Sequence, residues 1–232
     1  MTAIVRFTSL YGSCSLSLAR CSLLEVDGFK ILLDCGWDER FDPLLLEPLS
    51  KIASQVDAVL LSHSSIHYSG ALPYALSKLG LHAPIYATLP IVRMSHLALY
   101  DAFLSQNDEQ QFELFTLDDI DTCFEHCIQL KFQQHLMLTG KGSGLIITPY
   151  SAGYSLGATV WKVKKHTDEL LYAVDFNHRK EKHLNASALG HLQRPSHLIL
   201  GASQFLSKHA TTKSSVSIAV STALSAWKEG YS

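Results

Sequence analysis

The residues that could do chemistry in this sequence stand where apolar runs stop. Asp34 follows the run FKILL, and the turn Ser62-His63-Ser64-Ser65-Ile66-His67-Tyr68-Ser69-Gly70 follows AVLL. Tyr154 lies in the small-residue loop AGYSLGA, and Asp175 closes Tyr172-Ala173-Val174-Asp175. Imidazoles and carboxylates at strand ends are the material of metal and acid–base sites. A strand that ends in a polar, His-bearing turn before a helix is where α/β proteins place their chemistry. Zinc takes three or four His, Cys or carboxylate ligands. Ser65 offers only a neutral hydroxyl. Tyr68 and Tyr154 are phenols that ordinarily ionise near pH ~10, so they are neutral at neutral pH. That leaves Asp34, His63, His67 and Asp175. Asp34 also has a plain reading as a turn residue capping the next segment. His63 could simply hydrogen-bond or ion-pair with Asp34 or Asp175 inside the core.

The elements that must position these groups alternate between strands and helices. Residues 4–10 read as an edge strand, and 20–26 and 29–33 as two strands joined by Asp27-Gly28, a strong hairpin signal. Residues 43–54 read as one amphipathic helix with Leu45, Leu49 and Ile52 on a stripe. Strands at 56–61 and 83–88 bracket a helix from Ala71 closed by Gly80. A long helix is predicted over 91–105, ending at a polar break over 106–111. Thr116 is the N-cap of a helix over 118–127 with acids in its first turn. His126 is read as a surface residue. Short strands are predicted at 130–132 and 136–138. The GKGSG stretch at 140–144 is a hairpin turn without phosphate-loop spacing. Strands at 145–148, 159–163, 170–174 and 198–200 follow. Residues 207–215 are rich in Ser, Thr and Lys, and 216–227 have a helical period.

In order and spacing these sites resemble the metallo-β-lactamase family. The resemblance is carried by LLDCG after two strands and by SHSSIHYSGALP, set against His-x-His-x-Asp-His with a following Gly-Ala-Leu-Pro. It is carried further by AGYSLGA, where the family has Ala-Gly-His, and by the strand ending in Asp175. On that pattern His63 matches the first His. Ser65 stands at the second His, His67 at the Asp and Tyr68 at the third His. Tyr154 replaces the His of the later loop, Asp175 matches the metal-bridging Asp, and Asp34 matches the residue that orients the ligand loop. The resemblance covers residues 2–200. It implies an α/β fold, a metallo-β-lactamase-like αββα sandwich, incomplete at the C-terminus. Residues 1–206 would be the partial domain and 207–232 the start of a truncated β-CASP-type insertion. The sheet that receives strands from beyond such an insertion is expected to keep an open edge.

The stretches DCGWDERFD, YATLP, FTLDDID, AVDFNHRKEKHLN and RPSHLI resemble, within that family, the inactive metallo-β-lactamase/β-CASP subunits of the pre-mRNA cleavage and polyadenylation complex. The resemblance implies a nuclear, non-catalytic scaffold in mRNA 3′-end processing. Its partners would be the nuclease subunit, the scaffold subunits and pre-mRNA. Asp34, His63, Ser65, His67, Tyr68, Tyr154 and Asp175 would be vestigial metal-site positions, with no metal and no other cofactor. Lys162, Lys164, Lys165, Arg179, Lys180 and Lys182 are in the densest basic groups and could meet phosphate, or could be a solvated face. Two other readings stay open. One is a metal-dependent hydrolase or endoribonuclease with a degenerate mononuclear site on His63, His67 and Asp175. The other is a truncated paralogue without function.

Composition sets outer bounds. The 232 residues are 47% hydrophobic and 17% charged, which is globular rather than disordered. A net charge of −2 provides no global field toward nucleic acid or anionic membranes, so any RNA contact must be local. The start lacks a basic segment followed by a long apolar one, and no apolar run reaches the ~18 residues of a membrane span. Five cysteines without a CxxC pair suit free thiols in a reducing compartment. Cys123 and Cys127, four apart in the predicted helix, read as two core thiols rather than a metal pair.

Overall fold

Asp27 and Gly28, at φ 49° and 82°, make the turn that folds β2 (Cys21–Val26) onto β3 (Phe29–Cys35). Two successive residues at positive φ give a turn whose twist matches that of the flanking strands. The computed structural model describes residues 3–12, 18–109, 112–192 and 195–201. The sequence expectations for residues 202–232, including a β-CASP-type start at 207, fall outside the described residues. The chain divides into two compact units, Ala3–Lys131 and residues from Phe132 onward.

The first unit holds a six-stranded sheet in the order β1-β2-β3-β4-β5-β6, with β1 Val5–Tyr11, β4 Ala58–Leu60, β5 Ile85–Ala87 and β6 Ile128–Gln129. The first three strands pair antiparallel, and β3 through β6 pair parallel. β4 is buried at all three positions, which explains its unbroken apolar run. The parallel crossovers carry helices α1 Glu47–Ser50, α2 Ile66–Ser69, α3 Leu72–Ser77, α4 Leu89–Glu109 and α5 Leu117–Glu125. The core runs from Tyr11 to Cys127 and includes the fully buried Trp37. Trp37 meets Phe41 edge-on at 5.2 Å and donates its indole N–H to the Asp42 carbonyl at 2.9 Å.

Three expectations change on this scaffold. Residues 43–54 are not one helix. A 3₁₀ turn over Pro43–Leu46 gives way to α1 and then to a second 3₁₀ turn over Ala53–Gln55. Pro48 has no N–H for the carbonyl four residues back, so it can stand only in the first turn of a new helix. The buried residues are accordingly Leu46, Leu49 and Ala53, with Leu45 and Ile52 only partly covered. The long helix starts earlier and runs through the expected polar break to Glu109. Polarity alone does not stop a helix, and no Gly or Pro interrupts residues 91–109. The strand expected at 130–132 forms two residues earlier, as β6.

The second unit is a five-stranded sheet in the order β11-β10-β9-β8-β7. Its strands are β7 Leu136–Met137, β8 Leu145–Ser151, β9 Thr159–Lys165, β10 Asp168–Ala173 and β11 His197–Leu200. All neighbours are antiparallel except β10 and β11. The GKGSG stretch joins β7 to antiparallel β8 through a 3₁₀ turn, as expected of a hairpin connection. Among the described residues no helix is long and apolar enough to cross a membrane. Cys21, Cys35, Cys123 and Cys127 are buried free thiols. Burial pushes the Cys127 thiol up to about 12, and its Sγ lies 3.4 Å from the Cys123 carbonyl, so this pair is core packing.

Candidate functional site

The site in the first unit is built around a bulge in β3. Cys21 pairs with Cys35 and Ser22 with Leu33, which leaves Asp34 as the extra residue between them. Asp34 has φ 59°, a left-handed conformation that Asp tolerates better than most residues. The bulge aims its side chain at the end of β4. Oδ1 accepts the Ser62 backbone N–H at 2.7 Å, and Oδ2 accepts the Ser62 hydroxyl at 2.7 Å. Asp34 is completely buried, so these bonds offset the cost of enclosing a carboxylate.

Ser62 passes the constraint on. Its single hydroxyl proton goes to Asp34, so at the 2.8 Å contact with His63 Nδ1 the hydroxyl oxygen accepts. His63 therefore carries a proton on Nδ1. His63 is 3% exposed and lies against Tyr68, ring centroids 4.7 Å apart and planes 36° apart. The Arg20 guanidinium stands 6.0 Å from the Tyr68 ring centre. The sequence left His63 open to a bond with Asp34 or Asp175, and the structure shows Ser62 bonded to both Asp34 and His63. The missed signal was a hydroxyl residue at the strand end, one position before the His.

The other positions of the turn do different work. Ser65 is the N-cap of α2, its Oγ accepting the His67 N–H at 3.4 Å. His67 Nδ1 lies 3.3 Å from the Trp37 carbonyl and Nε2 lies 3.8 Å from Glu39. The turn is fastened to the residue before β2 by a backbone bond from Arg20 N–H to the His67 carbonyl, and to the segment after β3 by one from Trp37 N–H to the Ile66 carbonyl. Gly36 is required at this seam, because a Cβ there would collide with the His67 carbonyl. At the positions where the fold family sets zinc ligands, residues 63, 65, 67 and 68 supply two imidazoles, a hydroxyl used in a helix cap and a phenol, a donor set poorer than the three or four His, Cys or carboxylate ligands that zinc takes.

In the second unit, Tyr154 is 54% exposed, so it does not fill a buried volume. Asp175 is 8% exposed, just beyond β10. Gly153, at φ 68°, sits where a Cβ would come within 2.6–2.8 Å of Ser187 N, Asn177 O and Asn185 O. Close backbone packing thus accounts for the Gly of AGYSLGA. Of the basic residues, Lys162 and Lys164 both grip Glu169, at 2.6 and 3.1 Å. Burial alone would raise the Glu169 carboxyl, but the bonds and charge of the two lysines hold it below the usual carboxylate range. Lys165 is half-buried at the end of β9. Arg179, Lys180 and Lys182 are exposed on a loop shaped by Asn177, whose Oδ1 accepts the Arg179 N–H at 3.0 Å.

The fold and these site positions define a class. A profile described as the metallo-beta-lactamase superfamily domain matches residues 23–200, and the chain belongs to that superfamily. Among curated relatives, a protein of Oryza sativa subsp. japonica named cleavage and polyadenylation specificity factor subunit 2 is 53% identical over 189 residues. That match covers 82% of this chain and 26% of the rice protein. The Arabidopsis thaliana protein of the same name is 49% identical over 191 residues, covering 82% and 26%. A probable counterpart in Drosophila melanogaster is 46% identical over 203 residues, covering 87% and 27%. The chain thus spans about a quarter of the length of these relatives. A solved metallo-beta-lactamase fold protein, YhfI from Bacillus subtilis, is similar at TM-score 0.48 and 18% identity, covering 77% of this chain and 65% of that one.

Proposed function

We propose that this chain is the metallo-β-lactamase-fold portion of a non-catalytic subunit of the nuclear pre-mRNA cleavage and polyadenylation machinery, where it scaffolds partner subunits and contacts RNA. Similarity to proteins named as a subunit of that complex supports the place of work. The observation that carries the non-catalytic reading is Tyr68 packed against His63 at 4.7 Å, where the superfamily would set another nitrogen ligand. Without a metal hydroxide, the Asp34–Ser62–His63 chain has a carboxylate, a hydroxyl and an imidazole bonded to one another, and no activated water. The test has two arms. Tagged chain added to nuclear extract should capture the nuclease and scaffold subunits of the complex. Extract reconstituted with the His63→Ala form in place of the native form should cleave a reporter pre-mRNA at an unchanged rate. Failure of capture would remove the scaffold role, and loss of cleavage at wild-type assembly would remove the non-catalytic one.

A further inference from the structure

The first unit carries an open groove that none of the site residues touches. It lies between α3, α5 and the segment leading into β5, with a cavity of about 510 Å³. Its floor is made by Leu81, Ala83, Ile85 and Cys123, all buried, and Thr122 and His126 stand exposed at its mouth. Such a volume takes one or two large apolar side chains. The elements around it are strongly one-signed. Residues 72–85 and 117–126 carry four carboxylates, Asp118, Asp119, Asp121 and Glu125, against one cation, Lys78. Asp119 lines the groove and closes a capping box with Thr116, and Asp118 and Glu125 are exposed about one helical turn either side of Thr122, while Asp121 faces His96 and Tyr100 at 2.7 Å each. An apolar trough beside an acidic helix face selects for an apolar anchor flanked by cations and against a nucleic acid.

We propose that this groove docks a basic, amphipathic peptide segment of a partner protein, with one or two Leu, Ile or Phe side chains in the trough and Lys or Arg against α5. Docking at the groove is independent of the vestigial site and of any role in RNA processing. The probe is a fluorescein-labelled sixteen-residue helical peptide with leucines on one face and lysines on the other, titrated onto the 232-residue chain. Two controls keep its length. One replaces every Lys with Glu, and the other every Leu with Ser. The basic apolar peptide should bind at least ten-fold more tightly than either control, and more weakly as salt rises. Thr122→Trp, which fills the mouth from an exposed position, should lower that affinity at least ten-fold with an unchanged melting temperature. Asp118→Lys with Glu125→Lys should do the same by charge. Equal binding of the Glu peptide, or undiminished binding to Thr122→Trp, would overturn the proposal. So would a dimer of the native chain that becomes monomeric in Thr122→Trp, because the occupant would then be a second copy.

Discussion

Tyr68 covers the face of His63, with ring centroids 4.7 Å apart, while Ser62 holds the other side of that imidazole through Nδ1. The pair fills space tightly and is nearly closed to solvent, at 8% and 3% exposure. Tyr68→Ala should therefore behave as a core truncation, costing about 2–4 kcal/mol of stability. Urea unfolding of the two forms measures this directly, and a loss near zero would mean that the ring is not packing.

The Asp34–Ser62–His63 chain predicts a tautomer. Nitrogen NMR of the histidine rings should show His63 protonated on Nδ1, and Ser62→Ala should abolish that preference. Asp34→Asn keeps a residue that tolerates φ 59° but turns an amide N–H₂ toward Ser62 donors. It should cost about 1–3 kcal/mol, the penalty of a mispaired buried donor. Asp34→Ala should cost about 1 kcal/mol more, from the left-handed backbone.

Glu169 predicts a pH dependence. Its folded-state pKa lies below the unfolded one. The lysine bridge then contributes stability above the unfolded value, about pH 4.3 for Glu. That contribution is lost as pH falls through the lower folded value. Stability curves of the native and Glu169→Gln forms should differ at neutral pH by about 0.5–1 kcal/mol and converge in acid. Constant separation down to low pH would show that the two lysines do not hold the carboxylate.

The same bridge separates two classes of candidate RNA contact. Lys162 and Lys164 have their charge met by Glu169, whereas Arg179, Lys180 and Lys182 project from an exposed loop. Replacing the three loop cations with Ala should weaken binding of single-stranded RNA and flatten its salt dependence by roughly 0.7 per lost phosphate contact. Replacing Lys162 and Lys164 should do less than the loop substitutions. The opposite ranking would put the contact on β9.

Much of this architecture was legible because it rests on local rules. Asp27-Gly28 specified its hairpin, the apolar run before Ser62 specified a buried strand, and Thr116 specified the cap of α5. The failures are equally physical. Pro48 divides a segment whose leucine spacing suggested one helix. The bulge that frees Asp34 depends on register with Cys21, which no local pattern encodes. The exposure of Tyr154 and the pairing of Lys162 with Glu169 are tertiary facts, set by which strands become neighbours.

The measurement closest to the centre of the proposed function is the zinc content of the chain purified without chelator, read together with nuclease activity on single-stranded RNA. A pocket with Tyr68 against His63 predicts far less than one zinc per chain and no cleavage, in the native form and in His63→Ala alike. One or two tightly held zinc ions that disappear in His63→Ala, with cleavage disappearing alongside, would contradict it.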